Sequence, residues 1–190
     1  MKSIIKLSYL CLFFVLTNVA RGQTENEDVK FNVVLRHIKG VQGVDAVCGA
    51  TGLGRCLEVN YNKFISPKVF IMPGLNFEAA GVGLSVFKDY TAHLGFGWTV
   101  FQVGQRFYIN IPFGAYIGVE AIKPYQDASI DFTYAGANKF ICGGFAGINP
   151  EFFILKHLAL IVTVKEIYIW NCPFGNFKYE VMGGLRFIIN

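Results

Sequence analysis

Residues 106–121 read RFYINIPFGAYIGVEA. Every odd-numbered position from Phe107 to Ala121 is apolar. The even-numbered positions are Arg106, Tyr108, Asn110, Pro112, Gly114, Tyr116, Gly118 and Glu120, which are polar, small or amphipathic. Residues two apart share one face of a β-strand, whereas a helix has a period of 3.6 and would scatter both sets around its axis. The stretch is therefore predicted to be one long strand with an unbroken apolar face.

The same period extends in both directions. Upstream, Val86, Tyr90, Ala92, Leu94, Phe96, Trp98 and Val100 alternate with Ser85, Asp89, Thr91, His93, Gly95, Gly97 and Thr99. Before them, Val69, Ile71, Pro73, Leu75, Phe77 and Ala79 oppose Met72, Gly74, Asn76 and Glu78. At the C-terminus, Phe177, Tyr179, Val181, Gly183, Leu185, Phe187 and Ile189 oppose Lys178, Glu180, Met182, Gly184, Arg186, Ile188 and Asn190. Strands are predicted at 41–51, 56–65, 68–80, 85–103, 106–121, 139–155, 158–170 and 177–190. The adjacent Lys165 and Glu166 are expected to break phase near the end of the seventh. Ser66-Pro67, Gly104-Gln105 and Lys156-His157 have the length of tight hairpin turns. They alternate with longer connections near 52–55, 81–84, 122–138 and 171–176. Short turns at one end and longer loops at the other are the pattern of an eight-stranded antiparallel up-and-down transmembrane β-barrel, with the short turns and both termini on the periplasmic side.

Composition agrees. Of 190 residues, 53% are hydrophobic and only 16% charged, where about a quarter is usual for a soluble domain. The 21 glycines and 19 phenylalanines suit pleated sheet better than helix. Residues 1–22 read as a cleaved signal peptide: Lys2 and Lys6, an apolar run from Leu7 to Leu16, then Ala20 and Gly22 before Gln23. A polar lead follows at 23–39, and the barrel is expected over 40–190. Removing 1–22 lowers the net charge from +4 to +1, and no Lys/Arg stripe remains to neutralise phosphates, so no direct nucleic-acid partner is expected.

Orientation follows from charge. The polar face carries Asp45, Glu58, Glu78, Asp89, His93, Arg106, Glu120, Glu151, Lys165, Lys178, Glu180 and Arg186. As a lumen network these acids and bases can pair, and the interspersed glycines make room. The opposite face is nearly free of charge, with Lys63 and Lys88 as exceptions near strand ends. Such a face suits outer-membrane lipid, where Arg or Lys at mid-bilayer costs about 2–4 kcal/mol. A soluble, lipocalin-like barrel would turn the apolar face inward instead.

The tail KEIYIWNCPFGNFKYEVMGGLRFIIN (165–190) and the opening VQGVDAVCG (41–49) resemble the TraO family, conjugal transfer proteins of Bacteroidetes conjugative transposons. The resemblance implies an envelope component of an apparatus that passes DNA between cells, with other apparatus proteins as partners and no catalytic residues. The lead at 24–39 departs from the family by its length. Two other functions fit the same barrel: a small surface-binding barrel of the OmpX type, unrelated to conjugation, and a lipid-modifying barrel enzyme built around His93 with Asp89 and Thr91.

The remaining signals are local. If Lys156-His157 closes a two-residue hairpin, Cys142 falls close to Cys172, which makes this the best-placed disulfide pair; free thiols are the alternative. His37 and His157 lack ligand spacing, so neither metal nor cofactor is expected. Residues 49–55 (GATGLGR) resemble a phosphate loop but lack its Gly-Lys-Ser/Thr ending and following helix. In the 122–138 loop, Tyr125, Asp131, Phe132 and Tyr134 form a candidate partner surface.

Overall fold

The computed structural model describes residues 37–82, 85–124, 138–170 and 176–189. They form eight strands: β1 (Gln42–Thr51), β2 (Gly54–Ser66), β3 (Val69–Val82), β4 (Ser85–Val103), β5 (Phe107–Pro124), β6 (Asn138–Leu155), β7 (Leu158–Ile169) and β8 (Phe177–Ile189). Each pairs antiparallel with the next, and β8 pairs with β1, so the sheet closes into a barrel with no free edge. Residues 1–22, read from sequence as a signal peptide, and most of the polar lead lie outside the described residues, as does the 125–137 stretch with Tyr125, Asp131, Phe132 and Tyr134.

The stagger of the barrel can be read from its register. One row of partners runs from Gln42 through Lys63, Ile71, Phe96, Phe113, Ala146, Glu166 and Tyr179. It returns to β1 ten residues further on, at Gly52, whose N–H donates to the Tyr179 carbonyl. Ten residues are about 33 Å of strand, set against eight strand spacings of about 4.8 Å, which tilts the strands by about 40° to the axis. A barrel of this size has an interior that side chains alone can fill.

The alternation of residues 106–121 maps directly onto this surface. Tyr108, Asn110, Tyr116 and Glu120 are buried inside, while Ile111, Phe113, Ile117 and Val119 point out. The exterior is apolar on every strand, from Leu75 and Leu94 on one side to Val162 and Val181 on the other. Aromatic side chains gather at both ends of it. Trp98, Phe101 and Phe152 sit towards the short turns, and Trp170, Phe177 and Tyr179 sit at the loop end.

Three details depart from strict alternation. Register shifts fall between Phe64 and Ser66, between Thr99 and Phe101, and between Phe153 and Leu155, each beside a short turn. These are rim bulges, where an extra residue bends the strand into its turn. At the second bulge, both Val100 and Phe101 face outward. The turn after β4 also takes three residues, 104–106, with Gly104 in the left-handed region at φ 57°. Arg106 therefore lies in that turn and is exposed, not in the lumen, because the strand starts one residue later than its alternation suggests. Lys165 and Glu166, by contrast, do not break phase: β7 alternates without interruption, Lys165 points in, and Glu166 sits on the outer face.

Candidate functional site

The other eleven lumen residues inferred from sequence all face the interior. Ten of them are at most 8% exposed, and the eleventh, Lys178, has a side chain 11% exposed. They divide into two clusters, one near each end of the barrel.

At the short-turn end, the network centres on Arg186, which is 1% exposed on β8. Register places it directly opposite Asp45 of β1. Its Nε and Nη2 donate to the two Asp45 oxygens at 2.6 and 2.8 Å, a forked pair that uses the planar guanidinium fully. Its Nη1 donates to Glu151 Oε2 at 2.6 Å. The same carboxylate oxygen accepts from Asn110 Nδ2 at 3.2 Å and meets His37 Nε2 at 3.1 Å. Thr99 Oγ1 then donates to Asn110 Oδ1, and Asn149 Nδ2 donates to Thr163. The guanidinium also lies over the Phe70 ring, 5.3 Å from its centroid.

His37 was invisible as a lumen residue, because the lead that carries it has no strand period. A tight turn brings it in. Gly40, at φ 93°, donates its N–H to the Phe64 carbonyl, and Val41 N–H donates to the Ile38 carbonyl. The chain just before β1 thus folds back into the barrel mouth. His37 is 6% exposed there and stacks on Tyr108, with ring centroids 3.9 Å apart. Phe64 and Phe153 complete an aromatic lid around it. The uncharged partners Asn60, Asn110 and Asn149 were legible in principle, since each shares the phase of a named lumen acid on its own strand.

Towards the loop end, two lysines face five acids. Lys165 pairs with Glu58 and lies 3.4 Å from Glu180. Lys178 pairs with Glu78 and lies 2.9 Å from Asp89. Asn76 Nδ2 links Glu180 to Glu58, and Thr51 Oγ1 donates to Glu78 at 2.5 Å. Glu120 is buried in the same region, opposite Asp89 on the neighbouring strand. Burying charges is costly unless each is paired and hydrogen-bonded, and every ion pair here spans two strands, so the network also ties the staves together. Within this loop-end cluster lies a cavity of only about 20 Å³, room for about one water molecule.

His93 lines that cavity beside Asp89 and Thr91, as sequence suggested. Its Nε2 meets Asn60 Oδ1 at 2.8 Å, and its ring stands edge-on to Phe145. Asp89 is engaged with Lys178 instead. The His/Asp relay of a lipid-modifying enzyme is therefore not assembled among the described residues. No group of three or more His, Cys, Asp or Glu suited to a metal occurs among them either. Cys142 lies on β6, where its carbonyl accepts from Trp170 N–H. Its candidate partner Cys172 lies outside the described residues. Cys48, Cys56 and Cys142 are not joined to one another.

No family model and no curated protein matches this chain. Solved structures do. The N-terminal β-barrel domain of Pseudomonas aeruginosa OprF superimposes with a TM-score of 0.58 at 8% identity, over 80% of this chain and 98% of that one. The outer-membrane protein OprG from Pseudomonas aeruginosa gives 0.56 at 10% identity, over 82% and 99%. Neisserial surface protein A gives 0.52 at 13% identity, over 77% and 95%. At such identities the likeness is one of fold: a closed eight-stranded antiparallel barrel.

Proposed function

We propose that this chain is a non-enzymatic outer-membrane β-barrel: a filled, ion-paired barrel that anchors in lipid. The observation that carries this is the inversion of polarity. Ions lie within, paired across strands, and apolar side chains cover the outside. In water that arrangement would expose about thirty large hydrophobic side chains, far beyond the apolar patches that soluble monomers tolerate. In lipid it is what the solvent demands, and the closed sheet leaves no strand edge unpaired. Solved outer-membrane barrels of the same fold support this reading, and Neisserial surface protein A is by its name a surface protein. Cell fractionation tests it. The mature chain should sediment with the outer membrane and change electrophoretic mobility on heating. Recovery as a detergent-free monomer in aqueous buffer would overturn it.

A second role, as an accessory of a conjugative DNA-transfer apparatus, is favoured by one specific feature, the resemblance of residues 165–190 and 41–49 to TraO proteins. Deletion of the gene should then lower transfer frequency in mating assays, with rescue by the intact chain. Unchanged transfer would leave the small surface barrel as the function. Lipid modification makes the opposite demand on His93: under the non-enzymatic proposal, His93→Ala leaves the lipid profile of the cell unchanged.

A further inference from the structure

Two cations stand on the outer face at the loop end. Arg55 of β2 pairs in register with Ala79 of β3, and Ala79 pairs with Lys88 of β4. All three lie on the outward phase of their strands, and Arg55 and Lys88 are both exposed. Two strand spacings separate their backbones by about 10 Å, with only the Ala79 methyl between them. Both long side chains can therefore close on one group placed over Ala79. Neither has an ion-pair partner among the described residues.

The rows beneath this pair are apolar. The next carries Leu57, Phe77 and Tyr90, the last two with ring centroids 5.1 Å apart. The row after it carries Val59, Leu75, Ala92 and Ile117. Leu75 and Ile117 are 67% and 57% exposed and rise on either side of the short Ala92. The result is a lateral groove of about 610 Å³. Its lining begins one row below the cation pair, at Leu57, Phe77 and Tyr90, and reaches round the wall to Phe140 of β6.

Two other outward charges lack this setting. Lys63 lies near the opposite end, where its row continues through Ile71 and Phe96 with no second cation. Glu166 lies on the far wall, on β7.

Resting on the membrane reading above, we propose that this groove holds one phosphate-bearing lipid, with its phosphate between Arg55 and Lys88 and an acyl chain laid over Ala92. The chemistry is complementary at both ends. Guanidinium and ammonium groups at a membrane surface attract anionic head groups, and Arg offers a fork that fits two phosphate oxygens. The small residue at the groove floor leaves an acyl chain in contact with side chains on three sides, which a uniformly large exterior would not.

Native mass spectrometry of the folded mature chain released from detergent micelles tests this. The probes are phosphatidic acid and phosphatidylcholine with identical acyl chains, and inorganic phosphate. One phosphatidic acid should bind in preference to phosphatidylcholine, with inorganic phosphate failing to displace it. The double variant R55Q/K88Q should weaken phosphatidic acid by about tenfold or more, while K63Q leaves it unchanged. Ala92→Phe should weaken both lipids by filling the groove. Equal binding of the two lipids, or equal loss in K63Q and R55Q/K88Q, would overturn the site. A folded, heat-modifiable barrel without lipid preference would sink this site alone. A chain that stays monomeric in plain buffer would instead sink the membrane reading beneath it.

Discussion

At the scale of single residues, the lumen was legible because a strand sorts its side chains by parity. Asp45, Glu58, Glu151 and Arg186 declared their side of the wall by position alone. Their pairing was not legible, because it depends on register between strands that are distant in sequence: Arg186 and Asp45 are 141 residues apart. His37 was missed because its preceding segment has no period, and Arg106 was misplaced because alternation cannot distinguish a first strand residue from the last residue of a turn. Arg186, buried at the centre of its network, is the most direct of these residues to test. Arg186→Leu leaves Asp45 and Glu151 buried without their counter-charge and should destabilise the barrel by about 3–5 kcal/mol in urea unfolding from lipid vesicles. Arg186→Lys should cost less, since it keeps the charge and loses the fork. A second contact is steric. An added side chain at Gly97 would run into the Phe70 ring on the adjacent strand. Gly97→Val should therefore destabilise, and Phe70→Leu should partly relieve it, with a coupling of about 0.5–3 kcal/mol in a double-mutant cycle.

At the scale of strands, existence and phase were legible to within a few residues, since eight runs of alternation leave little choice. The bulges were not. Val100 and Phe101 are both apolar, so either could face the lipid, and only the register with β5 shows that both do. Glu166 misled for the opposite reason: a charge beside a charge looks like a slip of phase, whereas it is a tolerated acid on the outer wall. The apolar exterior should be most sensitive to charge at the middle of a strand. Leu94 is the central residue of β4 and is 56% exposed. Leu94→Arg should cost about 2–4 kcal/mol in the same vesicle unfolding, and Val86→Arg, at the loop end of the same strand, about 0–1 kcal/mol. Equal costs at the two positions would mean that no hydrocarbon layer surrounds β4.

At the scale of the whole molecule, closure and strand count followed from the sequence, because an even number of antiparallel strands in lipid must close and leave no edge unpaired. The stagger of ten residues did not, since it is the sum of eight registers, none of which the sequence states. Its consequence is a narrow lumen with side chains across it at both ends. Purified protein in planar bilayers should accordingly show no large conductance steps, and porin-sized steps would mean that the ion-paired network is open. The central claim is that lipid wets the outer phase of the wall and never the inner one. Quenching by brominated lipids measures this directly. Trp98 and Trp170 are replaced by Phe, and single tryptophans are placed along β5. Tryptophan at positions 111, 113 and 117 should be strongly quenched, and at 108 and 116 barely at all. Quenching that fails to alternate, or that favours 108 and 116, would contradict it.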